Sequence, residues 1–246
     1  MPTPNGRTCG TASKTYLETL TIGASGSAGS PILICGSSDP GHDGTVIIDG
    51  QRYVLHLVPS GILHEEFHSE AFTRRGGVLE MVQLWVNLPA KDKMAAPGYQ
   101  GLTADQIPAV ALPQEAGTAR IIAGRYGDTQ GAARTFTPMN VWDLRLQAGR
   151  TLAVDLPAGH TTALFVLRGS LQIGAHTIRA AELAVLRREG TQLVCDITED
   201  AMVLLLNGEP LNEPIVGHGP FVMNTRQEIS QAIHDFNSGK FGRIVQ

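Results

Sequence analysis

The stretch TALFVLRGSLQIGAHTIRAAELAVL, residues 162–186, consists of short apolar segments separated by small or polar turn residues. Segments of this length, rich in Leu, Val, Ile and Phe, are typical of β-strands. The pattern extends to both sides, through ARIIAGRYG, RTFTPMNVWDLRLQAG and TLAVDLPAG before it and TQLVCDI and AMVLLLNG after it. Regularly spaced short strands joined by turns predict an antiparallel β-barrel or sandwich.

The first third of the chain has a different texture. Turn-rich runs alternate with short strand-like segments, namely YLETLTI, PILIC, TVIIDG and RYVLHLV. GGVLEMVQLWVNLP then has apolar residues on both faces, which suits a strand covered on both sides. Residues 90–117 are mixed and contain prolines, so we expect a domain junction near their end, with one domain at 1–117 and another at 118–246.

The composition is that of an ordinary water-soluble protein. Of the 246 residues 42% are hydrophobic and 17% charged, and the net charge is -4 with a pI near 6.0. This charge gives no general attraction to phosphate backbones, so nucleic acid is not an expected direct ligand. No apolar run is long enough to cross a bilayer.

Three cysteines, Cys9, Cys35 and Cys195, stand at unrelated spacings. An odd number without a repeated spacing argues against a disulfide framework and for a reducing compartment. The N-terminus lacks the features of a secretory signal. We therefore expect a cytoplasmic protein.

The segment GILHEEFHSEAF, residues 61–72, contains the spacing H-E-x-x-H. On a helix, His64 and His68 would bind zinc and Glu65 would act as general base, as in a zinc protease. SEAFTRRGG follows the motif and supplies no third ligand at the spacing such enzymes use. The protease interpretation is therefore disfavoured.

On an extended strand the same segment has another meaning. Alternation puts His64, Glu66 and His68 on one face and Glu65 and Phe67 on the other. Two imidazoles and one carboxylate that point into a barrel could bind iron and leave positions open for a substrate or oxygen. The alternative is that these are exposed polar residues at the edge of a loop.

The C-terminal residues predict a helix. Thr225 and Glu228 have the spacing of a capping box, and Ile229, Ala232, Ile233 and Phe236 form one apolar stripe. Asn237-Ser238-Gly239 ends the pattern. The helix should pack on a β-domain.

Several of these segments together resemble the pirin family, a set of two-domain cupins. They are GILHEEFHSEAF, QLWVNLPAKDKMAAPGYQ, RTFTPMNVWDLRL, GHTTALFVLRGSLQIG and EPIVGHGPFVMNTRQEI with FNSGKFG, and they cover roughly residues 61–243. QLWVNLPAKDKM and GPFVMNTR are long enough to be specific. The resemblance implies an all-β fold of two cupin-type jelly-roll barrels in tandem with a C-terminal helix, the N-terminal barrel being incomplete or atypical.

The resemblance also implies a metal site in the N-terminal cupin. In pirins an early H-x-H pair and the histidine and glutamate of a later H-x-E hold one metal, usually iron, and the later pair falls on His64 and Glu66. The early pair has no counterpart, because TYLETLTIGASGSAGSPILIC contains no histidine. His56 is a candidate substitute, although a lone histidine in an apolar strand is more often a core residue, and His68 is a candidate for a supporting role. His42 and His160 are less favoured as ligands.

Two classes of function follow from the resemblance. Pirins with all four ligands are associated with oxygen-dependent opening of quercetin, with Fe(II) or another divalent metal binding a flavonol-type small molecule, and here Glu66 would serve as ligand and base. The alternative is a non-enzymatic regulatory protein that binds a protein partner. A shortened, inactive relative is the third interpretation.

Overall fold

A computed structural model of the chain describes residues 74–76, 82–96 and 98–242, together with the backbone of five short strands between residues 20 and 68. The described residues fold into two compact units. Asp105–Pro210 form one, here called the central unit. Glu18–Ala104 and Leu211–Gln246 form the other, here called the split unit because two separate segments of the chain build it.

The described strands of the split unit before Asp105 belong to two sheets. They are β1 (Leu20–Gly23), β2 (Ile32–Ile34), β3 (Thr45–Ile48), β4 (Arg52–Leu57), β5 (Glu65–His68), β6 (Val82–Val86) and β7 (Gly98–Thr103). Five of them form a sheet in the order β1-β6-β2-β4-β7, in which β2 runs parallel to both of its neighbours. The other two, β3 and β5, pair in parallel.

The central unit contains two large sheets and one two-stranded sheet. Its strands are β8 (Ala109–Ala111), β9 (Gly117–Ala123), β10 (Arg125–Tyr126), β11 (Thr129–Gln130), β12 (Met139–Leu146), β13 (Thr151–Asp155), β14 (Thr161–Arg168), β15 (Ser170–Ile173), β16 (His176–Arg179), β17 (Leu183–Leu186), β18 (Gln192–Ile197) and β19 (Ala201–Gly208). Six form a sheet in the order β17-β14-β19-β12-β9-β8, four form a sheet in the order β13-β18-β15-β16, and β10 pairs with β11. Every pair of these strands is antiparallel, as predicted.

One apolar core joins the two large sheets of the central unit. Leu144, Leu164 and Leu205 from the six-stranded sheet and Leu152 and Leu193 from the four-stranded sheet belong to the same buried cluster. Along β13 and β18 buried and less buried positions alternate, so these strands cover the core with one face. Strands β12, β14 and β19 are buried at most positions, which requires cover on both faces.

The C-terminal segment forms a hairpin and a helix. Strands β20 (Val216–His218) and β21 (Phe221–Met223) pair and contact helix α1 (Arg226–Asn237). The predicted capping box is confirmed, since Thr225 and Glu228 each accept a backbone N–H of the other. Gly239, with φ of 76°, ends the helix in the left-handed conformation that glycine adopts without strain.

The predicted apolar stripe of α1 is buried at its N-terminal end and partly exposed at its C-terminal end. Ile229 is 6% exposed, whereas Phe236 is 47% exposed. The Phe236 ring lies 6.2 Å from that of Phe221 and 6.5 Å from that of Phe241, between centroids. The aromatic end of the stripe therefore packs on other aromatic rings of the tail, with one side in water.

Residues 90–117, where the sequence predicted a domain junction, contain regular structure. Strands β7 and β8 lie within it, separated and flanked by short 3-10 helices at Ala90–Asp92, Ala104–Gln106 and Pro113–Glu115. Two glycines inside β7, and the prolines immediately before β7 and β8, obscured these strands in the sequence, since both residue types are rare in strands. The domain boundary at residue 117 stays a prediction. The chain passes from the split unit to the central unit at Asp105 and returns to the split unit at Leu211. Helix α1 therefore belongs to the split unit.

Two further sequence expectations concern the whole fold. The mainly β architecture with a C-terminal helix is confirmed. Within the described residues no helix has the length and apolarity that crossing a bilayer requires.

Cys195 provides a test of the central core. Its side chain is 1% exposed in β18, and burial, together with the neighbouring charge of Asp196, raises its pKa to about 12. Because the thiolate is the reactive form, we expect Cys195 to resist iodoacetamide at neutral pH in the folded protein and to react fully in guanidinium chloride. Peptide mass spectrometry after a labelling pulse measures this. Equal labelling rates in the two conditions would show that the core opens around β18.

Glu228 provides a test of the helix start by pH. Its pKa lies below the usual 4.5, first because the Thr225 hydroxyl donates to it and then because the backbone N–H groups of Thr225 and Asn224 do so, while partial burial opposes the shift. The ionised carboxylate therefore stabilises the fold at pH values above the pKa of the unfolded chain. This contribution to stability is lost as the pH falls through the lowered pKa of the folded protein.

Replacement of this carboxylate should have a pH-dependent cost. We expect Glu228→Gln to lower the melting temperature at pH 7, with a difference from the unmodified protein that shrinks toward pH 3. Glu199→Gln, at an exposed position of the central unit, is the control. A difference that is the same at every pH would contradict the role of the charge.

Candidate functional site

The segment with the H-E-x-x-H spacing is a strand where the structure describes it. Glu65–His68 form β5, which pairs in parallel with β3. The protease interpretation, which requires a helix, is therefore wrong for Glu65–His68. The interpretation as an extended strand is confirmed for these residues. The physical reason is that a ladder with β3 fixes the backbone in the extended conformation.

The positions of the predicted metal donors follow from this strand. Glu66 lies opposite Val46 and His68 opposite Ile48, so the two donors occupy alternate positions, which share one face of a strand. His64 stands two positions before Glu66 in the sequence, immediately before β5, and lies outside the described residues. Imidazole nitrogen and carboxylate oxygen are donors that iron accepts, so the donor types fit the predicted metal.

The candidate substitute ligand belongs to another sheet. His56 lies in β4, opposite Tyr99 of β7, within the five-stranded sheet. Its ligation of a metal stays a prediction, as does that of His68. His42 lies outside the described residues. Among side chains that the structure does describe, no cluster of three His, Cys, Asp or Glu residues is close enough to hold a metal.

The central unit contains a row of polar side chains across three adjacent strands, here called the amide row. Asn140 of β12 lies opposite Asn207 of β19, which in turn lies opposite Thr162 of β14. Asn140 Nδ2 donates to Asn207 Oδ1 at 3.0 Å, and Asn207 Nδ2 donates to Thr162 Oγ1 at 3.0 Å. Asn207 and Thr162 are fully buried, so these bonds replace water.

His160 joins the amide row from the turn before β14. Its Nδ1 lies 3.2 Å from Asn207 Oδ1, an oxygen that can only accept a hydrogen bond. The sequence analysis disfavoured His160 as a metal ligand, and this stays a prediction. The row consists of amides and a hydroxyl beside one imidazole, a composition suited to joining strands and poor in groups that titrate near neutral pH.

Two aromatic residues lie next to the amide row. Trp142 follows Asn140 on the same face of β12, is 2% exposed, and meets the Tyr126 ring edge-on at 5.3 Å between centroids. Burial, and then the charge of Asp155, raise the pKa of Tyr126. Its hydroxyl therefore stays protonated at physiological pH.

The split unit contains a buried lysine that sequence reasoning missed. Lys93 is 5% exposed, and its Nζ donates to Asn87 Oδ1 at 2.6 Å. Burial lowers the pKa of Lys93, and the charges of Glu213 and Glu228 partly offset the shift. Asn87 and Lys93 stand in the specific segment QLWVNLPAKDKM, so the sequence did mark this region as one shared with the pirin family. Nothing near Lys93 in the chain indicates that its charge is buried, since lysines are rarely buried.

Comparison with protein families identifies the second half of the chain. Residues 141–242 match the pirin C-terminal cupin domain. These residues include most strands of the central unit and continue through α1. The cupin fold inferred from the sequence is thereby confirmed.

Comparison with individual proteins gives relatives that match about three quarters of the chain. Two proteins of Pseudomonas aeruginosa, each named "Putative quercetin 2,3-dioxygenase", are 56% identical over 184 residues and 39% identical over 217 residues. The matches cover 75% and 79% of this chain. The chain spans 64% of the length of the first relative and 75% of the second.

A solved structure is similar in both sequence and fold. The crystal structure of quercetin 2,3-dioxygenase from Acinetobacter baumannii is 47% identical, with a TM-score of 0.77. The match covers 80% of this chain and 69% of that protein.

The amide row predicts a loss of stability on truncation. Asn207→Ala removes the acceptor of Asn140 and His160 and the donor to Thr162, so three polar contacts of the amide row are lost at a buried position. We expect a loss of about 3 kcal/mol in the free energy of unfolding, measured by urea denaturation. Gln147→Ala, in the exposed turn after β12, should change it by less than about 0.5 kcal/mol. A loss no larger than this control would show that the row contributes nothing.

Proposed function

The chain belongs to the pirin family of bicupins, and from this premise we propose that it binds one divalent metal, Fe(II), and acts on a flavonol-type small molecule. His64 and Glu66 are the proposed protein donors, with His56 or His68 as candidates for the positions that the family fills with its early H-x-H pair. The observation that carries the proposal is the 47% identity, at a TM-score of 0.77, to a quercetin 2,3-dioxygenase.

The conformation of β5 supports the choice of donors. An extended strand puts Glu66 and the residues two positions before and after it on one face, so His64, Glu66 and His68 would converge if the strand extends back by one residue. A carboxylate beside two imidazoles is a donor set for iron that leaves positions open.

Within this proposal Glu66 has two roles, as a donor to the metal and as a base. The bound metal would supply a Lewis acid for the flavonol oxygens and a place for oxygen chemistry. Glu66 would accept the proton of a flavonol hydroxyl when the substrate binds, because a carboxylate released from the metal can act as a base. His64 would bind the metal through one ring nitrogen.

The test measures metal and turnover in the same preparations. We expect about one iron per chain in protein purified without chelators. His64→Ala and Glu66→Ala should each lose most of this metal, because two or three remaining donors hold iron weakly. Elemental analysis gives the metal content, and loss of quercetin absorbance together with oxygen uptake gives the activity.

A matched histidine variant controls for general effects. His176→Ala alters an exposed residue of β16 in the central unit and should leave metal and turnover unchanged. Protein that stays metal-free after incubation with Fe(II) would overturn the metal site and the oxygenase together. Metal that binds and depends on His64, without turnover of a flavonol, would overturn the oxygenase alone and favour a regulatory protein that binds a partner.

A further inference from the structure

The two most specific sequence segments are linked in the folded chain through a third residue. One is QLWVNLPAKDKM, residues 83–94, which contains the first 3-10 helix, and the other is GPFVMNTR, residues 219–226, which leads into α1. Both belong to the split unit. The proposed metal site uses neither of them, so their proximity calls for a different explanation.

Glu213 connects the two segments. Its Oε2 accepts the backbone N–H of Ala90, 123 residues away in the chain, at 2.7 Å. The same oxygen accepts Nδ2 of Asn224 at 3.0 Å. Asn224 Nδ2 also donates to the carbonyl of Pro214 at 3.0 Å, which closes the segment between Glu213 and Asn224 into a loop.

Glu228 fastens the other end of this loop to the helix. Its Oε2 accepts the backbone N–H of Asn224 at 3.1 Å and that of Thr225 at 2.7 Å. Asn224 therefore bonds to both carboxylates, with its side chain to Glu213 and its backbone to Glu228. Charge-assisted bonds of this kind are stronger than those between neutral groups.

The buried Lys93 explains why two carboxylates are needed. Its Nζ donates to Asn87 Oδ1 at 2.6 Å, the residue is 5% exposed, and a buried charge is costly unless opposite charge lies nearby. Glu213 and Glu228 both act on it electrostatically. If the C-terminal segment left, Lys93 and the N–H of Ala90 would lose these partners together.

We propose that residues 211–228 form a strap that the Glu213 carboxylate fastens to the 87–93 loop, and that this strap holds the split unit together independently of any bound metal. Asn212, with φ of 53°, provides the turn that delivers Glu213, a conformation that asparagine tolerates better than most residues. The split unit is then a cooperative unit built from both ends of the described chain. Its local opening requires release of the strap.

Hydrogen exchange of the full-length protein tests the strap. Glu213→Ala should speed exchange about tenfold or more in peptides covering residues 82–96 and 211–237, the factor that loss of one charge-assisted hydrogen bond implies. Peptides covering β12 and β19 in the central unit should exchange as before. Asn224→Ala, which removes the side-chain donor to Glu213, should affect the same two regions, and it provides the measurement if Glu213→Ala does not fold.

Glu199→Ala, at an exposed position of the central unit, is the matched control and should change neither region. Two results would overturn the proposal. One is unchanged exchange in residues 82–96 when the hydrogen bond of Glu213 or Asn224 is removed. The other is an equal rise in β12 and β19, which would mean that the variant weakens the whole protein rather than one unit.

Discussion

Burial of polar groups is the constraint on which the described structure depends. Strands β12, β14 and β19 are buried along most of their length, so a polar side chain on them that lacks a partner within the protein lowers stability. Asn140, Asn207 and Thr162 meet this requirement by bonding to one another across the three strands. Such bonds also select one register, because a shift by one residue would move each amide to the opposite face.

The same constraint acts on charges. Asp143 is 1% exposed in β12, and its Oδ2 accepts Nη2 of Arg145 at 2.9 Å while Arg120 lies at 3.8 Å. Lys93 in the split unit has the opposite charge, and there the carboxylates are Glu213 and Glu228. In both units a buried charge is accompanied by opposite charge from another segment, Arg120 of β9 in one case and Glu213 and Glu228 in the other. Pairing of this kind ties distant segments together, because separation would leave a desolvated charge alone.

The candidate metal site has a different relation to the fold. Its proposed donors, His64 and Glu66, stand two positions apart in the sequence, a spacing that an extended backbone brings to one face. This local spacing, together with the resemblance to pirins, indicated the two donors before the fold was known. The remaining donors must come from other strands, and a local pattern does not contain that information. His56 illustrates this, since its strand β4 lies in a different sheet from β5.

Patterns that act over a few residues were sufficient to predict the antiparallel strands of the central unit, the extended conformation of Glu65–His68, the capping box and the end of α1. Alternation and capping depend on neighbours in the chain, so the sequence by itself determined them. Only the tertiary structure decided that residues 211–246 group with residues 18–104, that Lys93 is buried, and that Glu213 bonds to Ala90. These interactions join segments far apart in the chain, where packing selects the partner and local pattern does not.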